Sequence, residues 1–453
     1  MNIILREVEA LELEIGPTCP DVAATEYDRR LTELYAAAGV DWVIVYGDRE
    51  HAANLVFLTN FDPRFEEAIL ALGPAGRRVL MVGNEGLGYI SQAALPLDIM
   101  LAQSLSLMGQ PRDQAPRLID MLASLGIGSG MQIGVVGWKY LEAGEDDDLA
   151  TPAFVPALLV DLLRRLAGPT GIVRDVTALL MHPGHGMKAR NGAAQIAQYA
   201  WAAERASMAV LRIVEGACPE MTEYEAVGLM GYQGEPLSCH VMLSGGRGPI
   251  VGLRSPSARF LAEGDGVTTA VGYRGSLCCR AGLLQSTPDA AFVSSYVIPY
   301  FRAIATWWQS LRIGATGDSI NTAVLHALDG ASFRPALNPG HLIAIDEWTH
   351  TPIRPGSSDQ IASGMALQCD IIPTPMPDGW TLNCEDSVAI ADVTLRAELA
   401  AHYPELWVRI IARREWMRTS LGITLADEVL PLSIAPAWLP PFWLAGNLVC
   451  VVA

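Results

Sequence analysis

Basic residues are scarce in this chain: 31 Lys and Arg stand against 49 Asp and Glu, for a formal net charge of −18 at pH 7. No run of Lys and Arg offsets that balance, and long-range repulsion excludes nucleic acid or an anionic membrane surface as the main partner. Long apolar runs are missing too; none approaches the ~20 residues needed to cross a bilayer. The opening MNIILREVEALELEIG carries acid where a secretory signal needs a basic region and an apolar stretch. A cytoplasmic protein is therefore expected. Only eight cysteines occur, scattered except for Cys278 and Cys279, and none forms a CxxC pair. That excludes a zinc ribbon and a disulfide framework. Internal repeats and low-complexity linkers are also absent.

What remains is a chain of 453 residues, 51% apolar and 18% charged. It is too long for one ordinary core, and two domains of roughly 150–250 residues follow from size alone. In the first part, Glu26 to Ala38 has helical spacing with Leu31, Leu34 and Tyr35 on one face, and Gly39 supplies the stop. Trp42 to Tyr46 reads as a buried strand, Asn54 to Thr59 as a second, and Ala68–Leu72 with Arg78–Val82 as a hairpin-like pair. Pro116 to Leu125 and Pro156 to Leu166 read as helices around a strand at Met131 to Val136. This alternation is that of an α/β layered domain.

His182-Pro183-Gly184-His185-Gly186 breaks every periodic pattern and marks the best domain boundary. A long Ala-rich helix is expected from Asn191 to Glu215. Thr222 with Glu225 three residues on has capping-box form and should start another. Short strands with glycine turns follow from His240 to Leu284. Two helices come next, one with Trp307 and Trp308 and one from Asp318 to Leu328, then strands to Ala391. The tail from Leu425 contains Pro431, Pro436, Pro440 and Pro441 and is expected to be mostly extended.

Several stretches, in matching order, resemble the creatinase, prolidase and aminopeptidase P superfamily. Asn54-Leu55-Val56-Phe57-Leu58-Thr59-Asn60-Phe61 is similar to that family's "N-x-x-Y-L-T-G-F". Arg254 to Arg259 with Gly264-Asp265 is similar to its "P-x-x-R-x-L-x-x-G-D". Gly340-His341 resembles the pair that carries a metal ligand. Gly364-Met365 followed by Asp370 resembles "G-M-V-x-x-x-E-P", and Glu385-Asp386 the terminal "E-D" strand. The resemblance covers about residues 26 to 395. It implies an α/β domain of the creatinase/prolidase N-terminal type at 1–185, an α+β pita-bread domain at 186–396, and an extension at 397–453. A homodimer acting on a small-molecule substrate is implied as well.

The family's peptidases hold two divalent ions with two Asp, one His and two Glu, because bridging carboxylates offset the repulsion between the cations. The first Asp position falls here on Ala270, and the second on Ala281 or Leu277. No acidic residue lies between Asp265 and Asp289. A dinuclear centre is therefore not expected. His341, Asp370 (where the family has Glu) and Glu385 remain as ligands for at most one divalent ion, and no other cofactor is implied. Catalytic candidates are His341, Glu385 and Asp370, joined by His240 and by His350 near Asp346 and Glu347 as proton-transfer groups. Substrate-binding candidates are Arg64 as a carboxylate clamp, Glu347, and Arg280, whose guanidinium is expected in the ligand cavity against Asp370 or Glu385. Of Cys278 and Cys279, neighbours on one strand, at most one can face that cavity. The implied activity is creatinase-like cleavage of a C–N bond in a small nitrogen-containing carboxylate, without two metals. The alternatives are an Xaa-Pro peptidase with an atypical site and a non-catalytic binding protein.

Overall fold

The computed structural model describes residues 1–145 and 151–453. They form two units, one running from Val22 to Met187 and the other joining Met1–Asp21 to Lys188–Ala453. The opening strand β1 (Ile3–Glu7) thus belongs to the second unit, although the sequence reading placed it with the first.

The Val22–Met187 unit is built on a six-stranded sheet of β2 (Trp42–Gly47), β3 (Ala68–Gly73), β4 (Arg77–Val82), β5 (Asp98–Leu101), β6 (Gln132–Val136) and β7 (Ile172–Asp175), in the order β5-β4-β3-β2-β6-β7. The pairs β2–β3 and β3–β4 are antiparallel and the outer three parallel. β2 and β3 are buried along their whole length, so they read as unbroken apolar runs instead of alternating ones. Leu118, Met121 and Leu122 of the helix Leu118–Ser124 share a core with Leu159, Val160 and Leu163 of the helix Ala157–Ala167 and with Trp42, Ile44 and Tyr46. Gly39 closes the helix Ala24–Ala38 at φ 57°, a left-handed conformation that glycine adopts without Cβ strain.

One element differs in kind from its expectation. Asn54 to Thr59 is not a strand but part of the helix Ala53–Thr59. Residues 54–59 are all buried, so no exposed position betrays the period, and a short, mostly apolar run cannot be told apart by pattern alone. The Thr59 hydroxyl donates to the Leu55 carbonyl one turn back at 2.7 Å, and Asn60 ends the turn at φ 62°.

The second unit carries β8 (Met242–Gly246), β9 (Gly266–Tyr273), β10 (Ser276–Leu283), β11 (Arg334–Pro335), β12 (His341–Leu342), β13 (Ala366–Cys369), β14 (Pro373–Thr374), β15 (Asn383–Ile390), β16 (Val429–Pro431) and β17 (Leu448–Val452). Its main sheet runs β12-β13-β15-β10-β9-β8, with β16 also paired to β15. The 24-residue helix Ala193–Gly216 packs on β9 and β10, its small residues letting the backbones approach. Thr222 and Glu225 form the expected capping box. The next residue of that turn, Glu223, is buried and accepts from Gly245 N, Arg254, and the backbone and hydroxyl of Ser257, which anchors the segment leading into β9.

Residues 397–453 are an integral part of this unit. Arg409 and Arg413 of the helix Pro404–Ser420 grip the buried Glu204 of the long helix. Trp438 donates to Val8 O at 3.0 Å, and β17 pairs antiparallel with β1 from Ile3↔Val452 to Glu7↔Leu448. Among the described residues no helix is long and apolar enough to cross a membrane.

Candidate active site

Register assembles the site. Cys279 of β10 lies opposite Glu385 of β15 on one side and Ala270 of β9 on the other, and Ala270 lies opposite Met242 of β8. Side chains alternate along each strand, so Met242, Ala270, Cys279 and Glu385 share one face as a row across the sheet. The pair Cys369↔Asp386 brings Asp370, one residue past β13, to the end of that row. His341 of β12 lies one row over, opposite Gln368.

Ligand atoms of His341, Asp370 and Glu385 all lie within 4.8 Å of one another, and the three residues are buried. Gly340 makes the placement of His341 possible. It sits at φ +109°, and a Cβ there would lie 2.6 Å from Gln368 O. Trp307 Nε1 fixes the preceding residue by donating to Pro339 O at 2.6 Å. The imidazole stacks on the Trp348 indole with centroids 4.0 Å apart and planes 19° from parallel. Its Nε2 stands 3.4 Å from Glu347 Oε1 and 3.9 Å from Glu385 Oε1. Neither contact has hydrogen-bond geometry, and Nε2 and Asp370 Oδ1 are both buried without a hydrogen-bond partner.

Three carboxylates therefore share one poorly solvated space. Burial pushes Asp370 well above the usual carboxylate range, with Glu385 adding to the rise and His341 opposing it. Burial also raises Glu385, helped by Glu347 and countered by the Gln368 amide. Glu347, half-buried, is raised by burial and lowered by His341. Burial and the charge of Glu347 push the Cys239 thiol up to about 12, and burial and the Glu385 charge hold Cys279 well above an ordinary thiol. Such a cluster fits a cation, since close carboxylates are costly to ionise together without one. One ion suits it: His and carboxylate donors converge and two of them end unpartnered. A second ion does not, because the row between Glu385 and Met242 holds a thiol and a methyl group where bridging carboxylates are required.

The sequence left the second missing Asp between Ala281 and Leu277. Both lie on the site's face, but the β10 residue between Ala270 and Glu385 is Cys279. The sequence allowed at most one of Cys278 and Cys279 to face the site without saying which, and gave no sign of the Trp348 stack, since each depends on register or on a loop's path.

Arg280 requires a correction. It is not in the ligand cavity and contacts neither the Asp370 nor the Glu385 carboxylate. As the next residue after Cys279 it points to the opposite face, where Nη2 meets both Asp386 oxygens at 3.0 and 2.9 Å. The same alternation that puts Glu385 in the site puts Asp386 behind it, so the buried guanidinium found the other acid of the pair. Its only link to Glu385 is a 3.1 Å bond to the backbone carbonyl.

The remaining candidates are dispersed. His240 is exposed, its Nε2 2.8 Å from Leu253 O. His350 pairs by backbone with Leu342, and its Nδ1 accepts from Thr351 N at 2.8 Å. Asp346, beside Glu347, is taken by an ion pair with the buried Lys188. Arg64 lies in the other unit at φ 59°, with Nε 3.2 Å from Asp62.

No family model and no curated protein matches this sequence. Solved structures do. The prolidase from Thermococcus sibiricus superposes with a TM-score of 0.63 at 14% identity, covering 90% of this chain and 96% of its own. The dipeptidase PepE from Mycobacterium ulcerans gives 0.60 at 19% identity, over 82% and 94%. The X-Pro aminopeptidase from Thermotoga maritima gives 0.61 at 14%, over 80% and 94%. The chain has the two-part pita-bread fold of the prolidases and aminopeptidases P.

Proposed function

We propose that this protein hydrolyses a C–N bond of a small peptide-like substrate, in the manner of the Xaa-Pro peptidases whose fold it has, at a centre that takes one divalent ion. The observation that supports this reading is the convergence of His341, Asp370 and Glu385, with His341 Nε2 and Asp370 Oδ1 buried and unpartnered. Leaving two such groups unsatisfied costs about 1–3 kcal/mol each, a cost that a bound cation removes. His341, Asp370 and Glu385 would hold the ion, which supplies Lewis-acid activation of water and of the scissile carbonyl. The Trp348 indole fixes the imidazole plane. Glu347, partly exposed and 3.4 Å from His341, would accept a proton from the attacking water and return it to the leaving amine.

A second reading has one observation in its favour. Glu347, Asp370 and Glu385 together form an acidic cage, which in a creatinase-like reaction would receive a cationic guanidino group. The two readings separate in one assay. Purified protein is given Xaa-Pro dipeptides, guanidino acids and N-acetyl amino acids, each with one equivalent of divalent ion and with chelator. Release of proline that needs the ion supports the peptidase reading. Turnover of guanidino acids in chelator supports the second. No turnover of any member by ion-loaded, folded protein overturns both and leaves a binding role.

A further inference from the structure

The residues that place His341 also wall a cavity of about 840 Å³, inside the range of small-ligand sites, about 300–1,000 Å³. One wall is the segment from Arg334 to Pro339, which runs straight into Gly340 and His341. Trp348, the indole stacked on the His341 ring, lines the cavity too and is 37% exposed. The helix Gly317–Ala327 adds Thr322 and Leu325. Leu325, Leu337, Pro339 and Trp348 give the space an apolar lining. Arg334 brings a fixed positive charge to it. Its Nη1 donates to Leu328 O at 2.9 Å, Ala331 O at 3.2 Å and Phe333 O at 2.9 Å. Those bonds hold the guanidinium and leave its Nε and Nη2 edge without a partner among the described residues. That edge is the one that matches a carboxylate in two-pronged fashion. Arg64, by contrast, already has Asp62 at 3.2 Å.

We propose that this cavity is the subsite for the part of the substrate that follows the scissile bond, and that it selects peptides of three or more residues ending in an apolar residue with a free carboxylate. The assignment rests on the peptidase reading above and names its substrate class. Charge sets the direction of the chain. Glu347, Asp370 and Glu385 gather at the ion centre and favour the amino end, while Arg334 favours the carboxylate end. Length follows from Trp348 belonging to both places. An extended peptide advances about 3.3 Å per residue, so a dipeptide cleaved at the centre ends beside His341. A third residue is what enters the cavity, its side chain against Leu325 and Leu337 and its carboxylate on Arg334.

The probes are Pro-Leu, the leaving half of Ala-Pro-Leu, and Pro-Leu amide. Both are titrated calorimetrically into the full chain in chelator, so that binding is read without turnover. The expected result is one Pro-Leu per chain, with the amide at least about tenfold weaker. Arg334→Gln should bring Pro-Leu down to the affinity of its amide, and Thr322→Trp, which fills the cavity from an exposed helix position, should block both. With the ion supplied, kcat/KM for Ala-Pro-Leu should exceed that for Ala-Pro at least about tenfold, and Arg334→Gln should lose that gain. Equal binding of acid and amide by the wild type, or no binding of Pro-Leu, overturns the subsite however the variants fold; ion-dependent cleavage of Ala-Pro would still leave the peptidase reading standing. Binding as expected with neither peptide cleaved takes down the peptidase reading instead and leaves a site for carboxylate-ended peptides.

Discussion

Removing the Arg280 guanidinium should be among the most damaging single changes in the larger unit. The side chain is fully buried. Its donors go to both oxygens of Asp386, to Ala435 O at 3.1 Å, Cys279 O at 2.8 Å, Glu385 O at 3.1 Å and Trp438 O at 2.7 Å. Arg280→Ala leaves Asp386 buried with Ala437 N, 2.9 Å away, and two weak thiol donors in place of an opposite charge. Breaking a buried pair from one side costs about 3–5 kcal/mol. The tail carbonyls of Ala435 and Trp438 lose a donor as well, at about 1 kcal/mol each, so a loss of about 5–7 kcal/mol is expected. That is a large share of the 5–15 kcal/mol by which proteins are stable. Arg280→Lys keeps the charge but not the fork, and should recover less than half of the loss. Arg280→Met with Asp386→Leu removes both charges and should lie within about 2 kcal/mol of wild type. Urea unfolding followed by two probes measures all three. A loss below 1 kcal/mol for Arg280→Ala, or full stability in Arg280→Lys, would refute the claim that this pair holds β10, β15 and the tail together.

Gly340→Ala should destabilise the larger unit by more than about 2 kcal/mol and weaken ion binding, since its Cβ would meet Gln368 O at 2.6 Å in a left-handed backbone. Unchanged Tm and unchanged Zn²⁺ affinity would count against it. Protein purified without added metal should carry at most one transition-metal ion per chain by elemental analysis; two tight ions would show that the missing carboxylates are replaced from elsewhere. Arg64→Ala removes an exposed guanidinium from the largely buried Asp62 carboxylate, which keeps its hydrogen bond from Arg64 N, so the loss should be about 1 kcal/mol or less. It should leave Tm unchanged while raising KM if the guanidinium clamps a substrate carboxylate; the opposite pattern would make it structural.

The fold was legible wherever a residue's local chemistry forces its conformation. Gly39 had to end a helix, Thr222 and Glu225 had to begin one, and the ordered fragments from Asn54 to Glu385 matched one architecture. Legibility stopped where the outcome depends on pairing at a distance. The run Asn54–Thr59 is buried on all sides and gives no period to read. Arg280 and Glu385 both belong to the site's two strands, yet one residue of alternation separates a contact with Glu385 from a contact with Asp386. The loss of two Asp ligands was visible in the letters. That Cys279 stands between Ala270 and Glu385 was not, because the β9–β10 turn sets the register and three neighbouring residues fit the pattern.

The pairing of β1 with β17 bears on how the chain is made. At 5–20 residues per second, residues 3–7 wait on the order of 20–90 s for residues 448–452 to be synthesised. The Val22–Met187 unit is contiguous and can close on itself meanwhile. Until β17 arrives, β1 is an unpaired strand bearing Ile3, Ile4 and Leu5, the kind of edge on which nascent chains stick together. Glu7 ends it and three more acids follow closely, Glu9, Glu12 and Glu14. Their charge guards that strand during synthesis, as gatekeeper residues do beside an unavoidable apolar segment.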